Sequence, residues 1–394
     1  MTVLADNHLS GAVDAAERLL TTRAGAPVSL ADAEDLGGSG RTTVVRARVA
    51  QNPVSMDRTL VIKSLPAHED PRSFQREVVS YQYVTALPNE SRPGPQLIAS
   101  DYDHRLLVLS DLGSGQSMKD LLSGNDIVAT SRAVSAWGQA LGRMHAATLG
   151  GEEDFAALLR RGNGKIGVSE DVGERWARLA TDSAASAAAL LDVDLPEAVA
   201  QMLAAGCELF AGGEHRAFSP SDVGPENIML NDDGVQFMDY EWGGFRDATL
   251  DIAYAVATFG QHLSTINLGR RAELESALVD AWRSEVEGIW PRLRNDDELN
   301  TGLLTAWLLW SWLSTVWMLP EGTFETDPAP LADDGLVEDP AAVLSHDWAL
   351  HSNDPRVIVA RWTDLADAAS RSGATQVAEF ASSVGLALQR AWLS

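Results

Sequence analysis

Apolar positions from Gly11 to Arg23 recur at helical spacing, and from Pro27 to Leu65 the pattern shortens to β-rich runs separated by Gly and Pro. A helix followed by three strands is therefore predicted. The turn Asp35-Leu-Gly-Gly-Ser-Gly40 precedes an alternating run from Thr42 to Val49, and the next strand spans Thr59 to Leu65. Asp70-Pro71 then opens a helix carrying Phe74, Val78 and Tyr81, which Pro88 stops. Two further strands fall near Gln96 to Ser100 and Arg105 to Ser110 before Gly113 and Gly115 break the pattern. Beyond them, Val134, Trp137, Leu141, Met144 and Thr148 mark a long helix begun by Thr130 or Ser131. Residues 150–212 and 260–394 read as mostly helical.

This order predicts an α+β chain of two domains: residues 1–110 form a small antiparallel-sheet lobe, and residues 111–394 a large, mainly helical one. The longest apolar stretch, Leu303 to Leu319, includes Trp307, Trp310, Trp312 and Trp317 but also Thr305, Ser311, Ser314 and Thr315, and ends at Pro320. It reads as a buried core helix, its Trp residues packing the core or walling a substrate ring. Glu321 to Pro340 is acidic, Pro-rich and loop-like, a linker or a lid.

Composition narrows the function. With 394 residues, 45% of them hydrophobic, the chain is long enough for a large divided core. A formal charge of −26 repels nucleic acid and anionic membranes and favours a cationic small substrate, although acidity also serves solubility. The single cysteine, Cys207, rules out an internal disulfide, and no secretory signal is visible in MTVLADNHLSGAVDAAERLL, so a cytoplasmic location is expected. The His-Glu-x-x-His, Gly-x-Ser-x-Gly and Gly-x4-Gly-Lys-Ser/Thr patterns do not occur, which removes metalloprotease, serine-hydrolase and P-loop readings.

The chemistry concentrates between Phe218 and Asp239. Two short apolar runs joined by Asp232-Asp233-Gly234 predict a hairpin, with Asn227 and Asp239 flanking its open end and Asp222 five residues upstream across Gly224-Pro225. Two carboxylates and an amide so placed suit phosphoryl transfer: oxygen ligands for Mg²⁺, and a further Asp to orient a hydroxyl and take its proton. The alternative is that these residues cap turns and end strands. In the first lobe, Lys63 is a lone ammonium on a face shared with Val61 and Leu65, and Glu77 on the following helix can pair with it. Gly38 and Gly40 lie in a turn whose N–H groups can cover phosphates.

The order Gly-rich turn, Lys63, Glu77, Leu-Val-Leu-Ser-Asp-Leu-Gly113, Leu-Gly-Arg-Met-His145, Asp222-x4-Asn227 and Asp239-Tyr-Glu-Trp resembles the aminoglycoside phosphotransferase and choline kinase family, from about residue 30 to about residue 260. The resemblance implies a bilobal protein-kinase-like fold. It also implies Asp222 as catalytic base, Asn227 and Asp239 as Mg²⁺ ligands, and Lys63 with Glu77 as the phosphate-positioning pair for ATP or GTP. Ser110, Asp111 and Leu112 would be the adenine-binding hinge, and Asp251 the buried brace of the catalytic loop. Glu241 and Trp242 sit where the acceptor would enter, and a structural salt bridge is an equal reading of Glu241. Pro220-Ser221 departs from the usual His-Gly, and Thr43 stands where the last Gly of the phosphate turn would fall. A silent nucleotide-binding regulator and a kinase acting on protein remain as alternatives to a small-molecule kinase.

Overall fold

The computed structural model describes residues 2–37, 42–51, 58–66, 71–162, 172–316 and 354–393. In chain order it contains helix α1 (Thr2–Ala24), strands β1 (Ser29–Gly37), β2 (Thr43–Gln51) and β3 (Thr59–Ser64), helix α2 (Pro71–Thr85), and strands β4 (Leu97–Asp101), β5 (Leu106–Ser110) and β6 (Gln116–Ser117). Helices α3 (Met118–Ser123), α4 (Ile127–Thr148), α5 (Glu152–Gly162), α6 (Val172–Asp182), α7 (Ala184–Leu190) and α8 (Glu197–Ala211) follow, then strands β7 (Arg216–Ser219), β8 (Ile228–Asn231), β9 (Gly234–Phe237) and β10 (Gly244–Asp247). The remainder is helical: α9 (Thr249–Phe259), α10 (Thr265–Leu268), α11 (Arg271–Val286), α12 (Asp296–Val316), α13 (Pro355–Arg371) and α14 (Thr375–Trp392). Gly38, Gly40, Trp317 and the acidic segment 321–340 lie outside the described residues.

The chain forms two compact units, both discontinuous in sequence. The first comprises Met1–Gln116, Gly151–Ser169 and Ile228–Gly244; the second comprises Ser117–Gly150, Glu170–Asn227 and Phe245–Ser394.

In the first unit a five-stranded antiparallel sheet runs in the order β1-β2-β3-β5-β4. Strand alternation sends Val45, Ala47, Leu60, Ile62, Leu106 and Val108 to one face, where Ala12, Ala16 and Leu20 of α1 cover them. Lys63, between Ile62 and Ser64, projects to the opposite face in register with Val44 and Leu107. Thr43 starts β2 opposite Ser64, a position that needs no glycine. The hairpin β8–β9 turns at Asp232-Asp233, stabilised by Asp233 N–H donating to Asn231 Oδ1 at 2.9 Å. Its register pairs Ile228 with Phe237, so Asn227 and Asp239 flank the paired stretch.

The second unit is mainly helical. Gly138 and Gly142, four residues apart on α4, let α11 come close: a Cβ at Gly138 would lie 2.2 Å from the Leu278 carbonyl, and one at Gly142 2.8 Å from that of Trp282. The long helix begins at Ile127, earlier than expected, because Asp126 accepts from the Val128 and Ala129 N–H groups. Thr130, which resembles a cap in sequence, is buried and donates its hydroxyl to the Leu121 carbonyl. Trp307, Trp310 and Trp312 pack the core around α12. No helix among the described residues is long and apolar enough to cross a membrane.

Candidate active site

The first unit holds a buried charge cluster. Lys63 Nζ donates to Glu77 Oε1 at 2.7 Å and to Asp239 Oδ1 at 2.7 Å. Glu77 is fully buried and Lys63 nearly so, while the Asp239 side chain is 39% exposed. Burial opposes the ammonium charge, but Asp239, Glu77 and Glu241 outweigh it and hold Lys63 well above the ordinary lysine range. Burial also pushes the Glu77 carboxyl up to about 7, against the pull of Lys63. Glu77 Oε2 has no hydrogen-bond partner among the described residues. Glu241 therefore belongs electrostatically to this cluster.

Asp239 adopts φ +64, a left-handed conformation uncommon for a residue with a Cβ. Its backbone N–H donates to Tyr81 Oη at 3.3 Å, and Tyr81 stacks on Tyr240 with ring centroids 4.8 Å apart. Tyr240 in turn donates to the Pro93 carbonyl at 3.0 Å. Aromatic packing thus sets the backbone that aims the carboxylate. Tyr81 escaped the sequence reading as a site residue; its signal is its position four residues after Glu77 on α2, hence on the same helical face.

At the expected hinge, Ser110 N–H donates to the Gln96 carbonyl at 2.9 Å, and the Leu112 carbonyl accepts from Asn231 Nδ2 at 2.8 Å. Arg46 grips both Asp111 oxygens, Nε to Oδ2 at 2.9 Å and Nη2 to Oδ1 at 3.2 Å. Burial alone would raise the Asp111 carboxyl, but bonds from Thr59, Gly113 and Arg46 hold it below the usual range. The Asp111 side chain is thus committed to bracing this stretch. Trp242 lies half-buried beside Gly243, whose carbonyl accepts from Arg76 Nη1 at 3.3 Å.

The second unit presents a separate loop. Asp222 is half-buried; its Oδ1 accepts from Tyr254 Oη at 2.5 Å and from Gly224 N–H at 3.4 Å. Asn227 Nδ2 donates to the Asp222 carbonyl at 3.3 Å, which leaves Oδ1 as the acceptor end of that amide. Ser221 sits at φ +77, its Oγ accepting from buried Arg246 Nη1 at 2.9 Å and its N–H donating to Ser219 Oγ at 3.0 Å. Ser219 donates to Asp251 Oδ1 at 2.6 Å, and Asp251 Oδ2 meets His145 Nε2 at 3.0 Å. Trp282 Nε1 donates to His145 Nδ1 at 3.0 Å, so the tautomer with its proton on Nε2 satisfies every partner. His145 is a satisfied core histidine, and Asp251 anchors the loop at Ser219, three residues before Asp222.

Among the described residues no group of three His, Cys, Asp or Glu side chains is arranged to hold a metal ion. The partly exposed Asp239 carboxylate is an oxygen donor of the kind that a hard cation such as Mg²⁺ takes, with waters and phosphate oxygens as its other ligands. Three carboxylates around one ammonium also leave the Lys63 cluster with net negative charge, which a divalent cation would offset.

No protein-family model matches the chain, and no curated protein matches it in sequence. Among solved structures, ethanolamine kinase from Plasmodium vivax is similar at TM-score 0.47 and 12% identity, over 86% of this chain and 82% of that one. Choline kinase from Cryptosporidium parvum is similar at TM-score 0.46 and 10% identity, over 88% and 91%. The GDP complex of aminoglycoside 2'-phosphotransferase-IIIa gives TM-score 0.39 and 13% identity, over 77% and 99%.

Proposed function

We propose that this protein is a kinase-type phosphotransferase that moves the γ-phosphoryl group of ATP or GTP to a hydroxyl of a small molecule. The observation that carries this reading is the Lys63 ammonium held at 2.7 Å by both a fully buried Glu77 and the partly exposed Asp239. A buried cation gripped on one side by an inaccessible acid and on the other by an exposed one suits the binding of a metal-bound triphosphate.

Each residue then has a role. Lys63, kept in place by Glu77, neutralises phosphate oxygens. Asn227 Oδ1 and the Asp239 carboxylate would hold Mg²⁺, which when bound supplies charge neutralisation to the triphosphate. Asp222 accepts the proton of the acceptor hydroxyl as its oxygen bonds to the γ-phosphorus; the bond from that phosphorus to the β–γ bridging oxygen breaks, and the nucleoside diphosphate leaves with the electron pair. The segment Ser110 to Leu112 contributes its remaining backbone groups to the base, and Glu241 with Trp242 faces the acceptor. The net charge of −26 favours amino-sugar and amino-alcohol acceptors. The buried free thiol of Cys207 fits a reducing, cytoplasmic setting.

The test is nucleotide consumption by the purified protein with Mg²⁺ and a panel of amino sugars, amino alcohols, nucleosides and macrolides. Acceptor-dependent release of ADP or GDP, with a phosphorylated acceptor found by mass spectrometry, is expected. Tight nucleotide binding with no consumption across the panel would instead favour a silent regulator.

A further inference from the structure

Asp222 is not positioned by its own loop alone. Tyr254, on α9 and 3% exposed, donates its phenol to Asp222 Oδ1 at 2.5 Å, much nearer than the Gly224 N–H at 3.4 Å. The phenol is itself fixed. Its ring packs edge to face on Trp310 at 5.3 Å, and Trp310 Nε1 donates to the Leu250 carbonyl, one turn earlier on α9, at 2.8 Å.

Charged groups approach this pair from several elements. Glu226, in the same loop, is bonded by His262 Nε2 at 2.7 Å and faces Lys119 of α3. Arg361 of α13 is 3% exposed, faces both Tyr254 and Glu226, lies near Asp364 and donates to Gln261 Oε1 at 3.2 Å. Tyr254 thus bonds the carboxylate directly and lies within electrostatic reach of a buried guanidinium.

A carboxylate that receives a short hydrogen bond from a rigid donor loses most of its freedom to rotate about Cβ–Cγ. Fixing one oxygen fixes the direction of the other. A general base must meet its hydroxyl within about 2.6–3.2 Å, and a misplacement of about 1 Å can lower a rate by about 100-fold. We infer that Tyr254 is a positioning residue for the reaction, holding the Asp222 carboxylate in the orientation from which it takes the acceptor's proton; this rests on the phosphotransferase reading above.

The test is Tyr254→Phe, which keeps the ring against Trp310 and removes only the O–H. Turnover is measured with ATP, Mg²⁺ and whichever of choline, ethanolamine or kanamycin is consumed fastest, or with water as acceptor if none is. The expected result is a fall in kcat of about 10- to 100-fold, the worth of one hydrogen bond to a charged group, with KM for ATP and Tm nearly unchanged. In an Asp222→Ala background, Tyr254→Phe should lower the residual turnover no further. An unchanged kcat in the single variant, or full additivity in the double variant, overturns the inference. Equal turnover of wild type and Asp222→Ala is a different outcome, and it defeats the phosphotransferase reading itself.

Discussion

The Lys63 cluster of the first unit and the Asp222 loop of the second contrast in how they hold a charge. Lys63 is buried and held by opposite charges, Glu77 and Asp239. Asp222 is half-buried and held by the neutral donors Tyr254 and Gly224, while the turn before it is tied through Ser219 to Asp251 and through Ser221 to Arg246. A buried ion cluster stabilises the protein only while all members remain, because each would otherwise be an uncompensated charge. A network of hydrogen bonds around a wetter carboxylate instead fixes direction, and its loss shows mainly in rate.

The largest expected difference is in stability. Lys63→Met strands Glu77 in the interior and should destabilise the protein by about 3–5 kcal/mol in urea unfolding at pH 8. Asp222→Ala should change the same quantity by about 1 kcal/mol or less. Similar losses in the two variants would erase the distinction between the sites.

Next in size is a pH effect confined to the first unit. The Glu77 carboxyl is held up to about 7 in the folded protein, above its ordinary 4.5, so between these values the folded state binds more protons than the unfolded one. This group's contribution to stability therefore falls as pH rises through that window and levels off above it. Lys63, with its pKa raised, adds no slope there, since both states keep it protonated. Glu77→Gln should accordingly gain stability relative to wild type as pH rises from about 4.5 to about 7. A constant difference across that range would mean that Glu77 stays ionised throughout.

The smallest effect belongs to Ser221. Its φ of +77 is easier for glycine, whereas its hydroxyl serves Arg246. Ser221→Gly loses the bond but relieves the backbone, and Ser221→Ala loses the bond and keeps the strain. The Gly variant should therefore be the more stable of the two by about 1 kcal/mol in Tm-based comparison. Equal stabilities would indicate that the backbone there is unstrained.

What sequence makes legible is what repeats or turns locally. Period-two alternation placed Lys63 alone on its face, and Asp232-Asp233-Gly234 marked the hairpin between Asn227 and Asp239. The partners that aim these groups are distant in sequence and follow no period. Tyr254 is 32 residues from Asp222, Tyr81 is 158 from Asp239, and Arg46 is 65 from Asp111. Tyr254 reads as one more apolar position of a buried helix until its hydroxyl is seen to point at a carboxylate. Capping chemistry misled for a related reason: Thr130 and Asp126 are both good caps, and only burial of the Thr130 hydroxyl decides between them.

The most direct measurement pairs turnover with nucleotide affinity for Asp222→Ala. With ATP, Mg²⁺ and an accepted hydroxyl substrate, kcat should fall by about 1,000-fold or more, while the Kd for ATP–Mg²⁺ by calorimetry stays within about twofold of wild type. Wild-type turnover in that variant would contradict the account.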